Sequence, residues 1–147
     1  MDGAVRHELS QIYRDIDALV KQAGPVCQAS GRCCRFREWG HTLFLTRIEA
    51  EYLLENAPHW DRPIDDSFCP YQVKNLCTAR EQRPLGCRVY FCDPSFQERM
   101  PEIMELGISK LRALADRTAV GWDYAPLHRF LIEHQNSGAA LAPDKPT

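Results

Sequence analysis

Long apolar runs are missing from this chain of 147 residues. No stretch approaches the roughly 20 apolar residues that a membrane-spanning helix needs. Charged side chains interrupt the N-terminal stretch 1–22, which therefore lacks the apolar core of a signal peptide. From these two absences we expect a cytoplasmic protein with no membrane partner.

A strong excess of charge is also missing. The chain has 18 basic and 20 acidic residues, for a formal net charge of -2. So weak a charge gives little general attraction to polyanions, and nucleic acid is not an expected partner. The glycine-rich phosphate loop, the dinucleotide fingerprint and the metalloprotease helix are absent as well. The sequence therefore indicates neither a catalytic residue nor a protein partner.

No CxxC pair is present, although the chain is rich in cysteine. Its seven cysteines form two groups, the first at Cys27, Cys33 and Cys34 and the second at Cys69, Cys77, Cys87 and Cys92. Thiols at such spacings serve as disulfides, metal ligands or redox groups. Disulfides rarely persist in the cytoplasm, and an odd number leaves one cysteine unpaired. Metal or redox chemistry is the better interpretation, but without CxxC the chain is no simple zinc ribbon or ferredoxin.

Apolar periodicity predicts a helix over residues 4–22 that ends at Gly24-Pro25, because glycine caps a helix and proline cannot continue one. The apolar residues of 41–46 then indicate an extended segment. A capping box at Thr46–Glu49 predicts the start of a second helix, which should end near Asn56.

The C-terminal part of the chain gives two further helical patterns. A second capping box, at Ser95–Glu98, predicts a helix to about residue 118 that kinks or restarts at Pro101. A short helix is expected over 126–134, with proline near its start. Residues 135–147 are small, polar and proline-bearing, and we expect them to form a disordered tail.

Between these helices, the segment 57–94 contains five prolines and no sustained apolar period. A loop of that length inside a compact domain needs something to order it, and a bound metal would supply that constraint. The predicted fold is therefore mainly α. We expect a single small helical domain, residues 1–134, packed around an irregular, cysteine-rich metal-binding centre with little β structure.

The second cysteine group resembles a known family. Cys69-Pro70-Tyr71, the spaced Cys77 and the block Arg83-Pro84-Leu85-Gly86-Cys87-Arg88 are similar to motifs of the bacterial CxxCxxCC family, the YkgJ-type cysteine-cluster proteins. That family is described as a zinc- or iron-chelating domain. The resemblance covers about residues 27–92. It implies that zinc or iron, as an ion or as an iron–sulfur cluster, is bound by thiols drawn from all seven cysteines.

One position departs from the family pattern. Aligned on the first cysteine group, Ser30 stands where the family has its second cysteine, so the block reads CxxSxxCC. A hydroxyl oxygen is a poor ligand for a soft-metal site. One site should then be incomplete, vestigial, or closed by water or a histidine. His41 and His59, which lie between the two cysteine groups, are the candidates.

Arginines cluster near the cysteines in sequence, at Arg32, Arg35, Arg37, Arg80, Arg83 and Arg88. They could support an anionic thiolate centre by donating hydrogen bonds to sulfur. They could instead form an anion-binding patch, or simply be solvated surface residues.

Three functions are compatible with this sequence. The first is a metal-binding cysteine-cluster protein. The second is an iron–sulfur redox enzyme or a methyl-transfer enzyme with an open metal position. The third is a zinc-stabilised module for protein interaction, with the helices as its partner surface.

Overall fold

The computed structural model describes most of the chain outside the first cysteine group. The residues described are 1–25, 42–57, 59–60, 63–64, 66–67, 69–74, 76–90 and 94–137. Within them, no helix combines the length and the apolar character needed to cross a membrane. Cys27, Ser30, Cys33, Cys34 and Cys92 lie outside the described residues, and so does His41.

The described part of the chain is mainly helical, as the sequence predicts. Its helices are α1 (Gly3–Ala23), α2 (Arg47–Asn56), α3 (Leu85–Val89), α4 (Met100–Asp116) and α5 (Leu127–Asn136). Single 3-10 turns occur at Arg80–Gln82 and Pro94–Phe96. Strands are few and short, namely β1 (Phe44–Thr46), β2 (Gln72–Val73), β3 (Leu76–Cys77) and β4 (Tyr124–Pro126).

The strands form two antiparallel pairs. β1 pairs with β4, with Leu45 opposite Ala125, and each of these strands runs directly into a helix. The pairing therefore sets the beginnings of α2 and α5 side by side. β2 and β3 form a hairpin in which Gln72 lies opposite Cys77. Lys74, at the hairpin turn, has a φ of 53°, in the left-handed region.

The first two predicted helices are confirmed. α1 ends at Gly24, whose φ of 68° gives the left-handed cap that glycine permits without strain. α2 begins at the expected capping box. The Thr46 hydroxyl accepts from the Glu49 amide at 3.2 Å, and the Glu49 carboxylate accepts from the Thr46 amide at 3.1 Å. Local hydrogen bonding was therefore enough to locate the start of this helix.

The capping box predicted at Ser95–Glu98 is wrong. Ser95 lies in the 3-10 turn, and α4 begins at Met100 after Arg99, whose side chain makes no capping bond. Pro101 thus falls in the first helical turn, where its missing N–H has no intrahelical acceptor to lose. Of the two expected outcomes at Pro101, a kink or a restart, the structure therefore has the helix start beside the proline.

The predicted C-terminal boundary also needs correction. α5 begins after Pro126, which stands at its N-cap, and it continues to Asn136. The helix therefore includes two of the residues assigned to the tail by composition. Residues 138–147 lie outside the described part.

Two clusters of buried side chains stabilise the fold. We call the first the helical core, since long helices supply most of it: Leu9, Ile12, Tyr13, Ile16, Val20, Ile48, Leu85, Val89, Phe96, Ile103, Leu111, Leu114 and Ala115. We call the second the thiol core, since it contains Cys69 and packs against Cys77 and Cys87: Leu43, Leu45, Ala50, Leu53, Trp60, Cys69, Tyr71, Ala79, Ala125, Leu127, Phe130 and Leu131. The segment 57–94 thus contributes buried side chains to both cores, although its lack of apolar periodicity did not indicate this.

Candidate metal centre

The short helix α3 carries Cys87, and its position is set by close packing. A Cβ atom on Gly107 of α4 would lie 2.5 Å from Leu85 Cδ1, so a larger residue there would force the Leu85 side chain to move. On the opposite side, a Cβ on Gly86 would lie 2.9 Å from Leu43 Cδ1. α3 is therefore wedged between α4 and the segment before β1, which fixes where the Cys87 thiol stands.

A buried carboxylate also holds α3. Glu49, which is 1% exposed, accepts from the Leu85 amide at 2.6 Å and from the Tyr13 hydroxyl at 2.9 Å. Its other oxygen accepts from Thr46. One side chain thus ties α1, α2 and α3 together. Burial raises the pKa of Glu49, and the donated hydrogen bonds oppose that rise.

Arg88 of the RPxxCR block has a structural role. Its Nη1 donates to Asp17 of α1 at 2.8 Å, while Nε and Nη2 each donate to a backbone carbonyl at 2.6 Å, those of Arg83 and Glu81. The guanidinium carbon also lies 3.9 Å from the centroid of the Tyr13 ring. All three nitrogens of this buried side chain are used, and they bind the loop before Cys87 to α1.

The β2–β3 hairpin brings the other two described cysteines near each other. Cys69 precedes β2 and is buried, and its carbonyl accepts from the Gln72 amide at 3.1 Å. Cys77 ends β3 and is half-buried. The Tyr71 carbonyl accepts from both the amide and the hydroxyl of Thr78, at 2.8 and 2.7 Å, which closes the base of the hairpin.

Cys69, Cys77 and Cys87 line the same cavity, although 18 residues separate the first from the last in sequence. The cavity volume is about 20 Å³. Arg83 forms part of its wall, and most of the remaining surface is apolar, including Leu43, Leu53 and Leu127. The space is close to that of a single water-sized sphere, too small for an organic ligand.

The electrostatics of the neighbouring side chains reflect these thiols. The pKa of Tyr71 is raised, first by burial and then by electrostatic interaction with Cys69 and Cys77. The pKa of Arg83 is lowered by burial and by repulsion from Arg80 and Arg88, while Cys87 opposes that change. Anionic thiols at this place would therefore be favoured by Arg83 and would keep Tyr71 protonated.

Within the described ranges, no three histidine, cysteine or acidic side chains are close enough together to hold a metal ion as they stand. His59 does not line the cavity, and its ring stacks on Trp60 with 5.4 Å between centroids. The roles expected of Cys27, Cys33, Cys34 and Cys92 concern residues outside the described part. Those roles, and the convergence of both cysteine groups, remain predictions.

Sequence reasoning missed a second cavity beside the same thiol. An apolar pocket of about 280 Å³ is lined by Cys87, Gly86, Leu43, Met104 and Tyr124, among others. Cys87 therefore lies between this pocket and the small thiol cavity. Met100 and Met104 of α4 also line the apolar pocket, and apolar spacing in a helix does not distinguish a pocket wall from a core face.

Comparison with family models, with curated proteins and with solved structures gives no match for this chain. The resemblance to the cysteine-cluster family accordingly rests on the quoted motifs alone. Any functional conclusion is therefore based on the geometry and chemistry of the site.

Proposed function

We propose that this protein binds zinc or iron through cysteine thiolates, as a member of the cysteine-cluster family that its motifs resemble. The observation that carries the proposal is the single cavity shared by Cys69, Cys77 and Cys87. These cysteines come from the family-like motifs, and the fold brings them to one place through the hairpin and α3.

The chemistry of the cavity fits a soft metal better than it fits water. Its walls are largely apolar, and they offer a trapped water few hydrogen-bond partners. Thiolates are ligands that suit zinc and iron–sulfur centres, and a bound metal would stabilise their negative charge. Arg83 adds a positive charge at the wall, as is common around anionic thiolate sites.

Three cysteines fall one short of the usual four ligands of a structural zinc site. Cys92 and the first group, Cys27, Cys33 and Cys34, are the candidates for the remaining position. Because the first group follows α1 closely and α1 is bonded to the Cys87 loop through Arg88, its approach to the cavity requires no long connection.

The direct test is metal analysis after anaerobic purification, comparing the native chain with Cys87→Ser. We expect zinc or iron in the native protein and a loss of at least half of it in the variant, because a hydroxyl replaces one thiolate. Tyr71→Phe is the matched control, since it alters a buried neighbour of the thiols and leaves every sulfur in place. Its metal content should be unchanged.

X-ray absorption at the metal edge adds the number of sulfur ligands, and the colour separates iron–sulfur from zinc. A native protein purified without stoichiometric metal, or one whose metal is retained in Cys87→Ser, would contradict the proposal.

A second candidate function is an enzyme with an open metal position. The observation that favours it is the apolar pocket of about 280 Å³ that is also lined by Cys87 and is distinct from the thiol cavity. Such a pocket could hold a small apolar substrate beside the thiol. A purely structural site has no use for that access.

The serine at position 30 provides a test of this candidate. Ser30→Cys would complete the family's set of thiols, so it should raise metal affinity or stoichiometry if Ser30 faces an incomplete site. The control is Ser10→Cys on α1, which adds a thiol remote from the motifs. Equal metal binding by both variants and the native chain would count against an open position at Ser30.

A further inference from the structure

A polar pocket of about 400 Å³ lies beside the C-terminal end of α1. Its charged lining residues are Lys21, Arg80, Arg83 and Arg88, with Asp17 as the one acidic side chain. The pocket has walls from α1 and from the loop before Cys87. It therefore depends on the same Arg88 contacts that hold that loop in place.

The charges in this pocket do not balance. Asp17 is paired with Arg88, at 2.8 Å, so those two charges cancel. Lys21, Arg80 and Arg83 form no ion pair with any residue of the described part of the chain. Three positive charges around one concave surface repel each other, and an anion bound between them would relieve that repulsion.

The donors are also available. Arg83 uses Nε and Nη1 to donate to the carbonyls of Arg80 and Cys87, which leaves Nη2 without a bond among the described residues. The Arg80 and Lys21 side chains make no hydrogen bond there either. Arg83 is thus held by the backbone with one nitrogen of its planar group left to donate to a phosphate oxygen.

The C-terminal end of α1 repels an anion, and the partial charge responsible can be compared with the charge of the cations. The C-terminal end of a helix carries the equivalent of about half a negative charge. That is much smaller than the three positive charges that have no ion-pair partner among the described residues, so the local field from those residues stays positive. Neutralising the end of α1 would need only one of these side chains, and Lys21 in its last turn suffices for that.

We propose that this pocket is a binding site for a phosphate group, either the free ion or a small phosphate monoester. Arg83 lines both this pocket and the thiol cavity, so the anion would bind next to the cysteines without contacting them. The inference rests on the unpaired cations and does not require that a metal be bound.

Titration calorimetry with inorganic phosphate, at constant ionic strength, tests the site on the full chain as purified. Arg80→Gln should weaken binding about tenfold, since it removes one charged donor. The matched control is Arg99→Gln, which removes an exposed arginine at the start of α4, remote from the pocket. It should bind phosphate like the native chain.

A second variant should strengthen binding, which misfolding could not imitate. Asp17→Asn removes the one acidic side chain among the described residues that line the pocket, and the amide oxygen can still accept the hydrogen bond from Arg88 that holds the loop. Phosphate should bind several-fold more tightly to it and should raise its thermal midpoint more than that of the native chain. Repeating both titrations with glycerol phosphate separates a site for the free ion from one for a monoester.

No binding of either ligand by the native chain, or equal weakening in Arg80→Gln and Arg99→Gln, would overturn the proposal. Because the metal analysis of Cys87→Ser reads a different property, the two proposals can fail separately.

Discussion

The helical core and the thiol core are built in different ways. The helical core draws on α1 and α4, of 21 and 17 residues, whose apolar stripes face each other along their length. The thiol core draws on α2 and α5, of 10 residues each, on strands of two or three residues, and on irregular chain around Trp60 and Tyr71. One core has long elements with a period, and the other is assembled from short pieces.

This difference indicates what each core needs. Two long amphipathic helices can bury a continuous apolar surface while their backbone groups, except those in the terminal turns, bond within each helix. A hairpin whose strands are two residues long and a single turn of 3-10 helix cannot be stable alone. Cys69 and Cys77 lie beside or in a hairpin with strands of two residues, where a bound metal would add most to the order of the chain.

The largest effect that we predict is selective loss of the thiol core on chelation at neutral pH. If metal binding orders this region, its removal should expose Trp60, which is 8% exposed in the folded chain, while much of α1 and α4 stays helical. Tryptophan fluorescence in a variant that keeps Trp60 alone, with Trp39 and Trp122 changed to phenylalanine, measures this directly. An apo-protein with an unchanged thermal midpoint and buried Trp60 would show that the cysteines are not structural.

Leu111→Ala in the helical core is the control for that experiment. Leu111 is 1% exposed, and truncating it should cost about 2–5 kcal/mol of unfolding free energy. Because this cost comes from a cavity between helices, it should be similar in metal-replete and metal-free protein, as measured by urea denaturation.

The next effect concerns the buried carboxylate of Glu49, which ties α1, α2 and α3 together. Glu49→Gln should lower the free energy of unfolding by about 1–3 kcal/mol at neutral pH, because an amide cannot accept from all the donors that surround Glu49. Urea denaturation gives the value. Glu51→Gln on the same helix is the control, and it should change stability little.

The difference in unfolding free energy between the native chain and Glu49→Gln should depend on pH with a definite sign. The folded pKa of Glu49 is raised, so the unfolded chain releases this proton first as pH increases. Stability from this group is therefore full below the ordinary glutamate pKa and is lost as pH rises through the folded value. The native chain should exceed Glu49→Gln by more at pH 4 than at pH 7. A difference that shrinks toward acid would contradict the raised pKa.

The smallest effect should come from the ion pairs on the outside of the thiol core. Asp123 accepts from Arg47 at 2.8 and 3.0 Å and from Arg129 at 2.6 Å, linking the starts of α2 and α5. These groups are partly exposed, so Asp123→Asn should cost less than about 1 kcal/mol. Glu8→Gln, which removes the partner of Arg117 across α1 and α4, is the matched change at the helical core.

Asp123 also predicts a pH effect opposite to that of Glu49. Burial raises the pKa of Asp123, but hydrogen bonds from Arg47 and Arg129 outweigh it, and the net pKa is lowered. The stability that it contributes is present above the ordinary aspartate pKa and is lost as pH falls below it. Raised salt should reduce this contribution and leave that of Glu49 nearly unchanged.

Much of the helical core was predictable, because α1 repeats its apolar residues at helical spacing and Gly24 ends it. The Thr46–Glu49 capping box was also predictable, because its hydrogen bonds join residues only three positions apart. The Ser95–Glu98 box failed because the same residue types also favour a 3-10 turn, and Pro101 decided where the helix began.

For the candidate site, the sequence indicated the cysteines but did not indicate the hydrogen bonds that position them. Cys69, Cys77 and Cys87 were expected to act together, and they line one cavity. The Glu49 bond to Leu85 and the Arg88 bond to Asp17 join residues 36 and 71 positions apart. A short sequence pattern does not predict these hydrogen bonds, because they form only when distant segments pack together.

The bonds of Glu49 also have a consequence for the order in which the chain can fold during synthesis. Its donors on Tyr13 and Thr46 leave the ribosome with the first half of the chain, but the Leu85 amide follows 36 residues after Glu49 itself. Until then the carboxylate lacks its shortest hydrogen bond, and water must take that place. α1 and α2 can therefore form early, but their contact can lose its water only when the segment that carries Cys87 has been made.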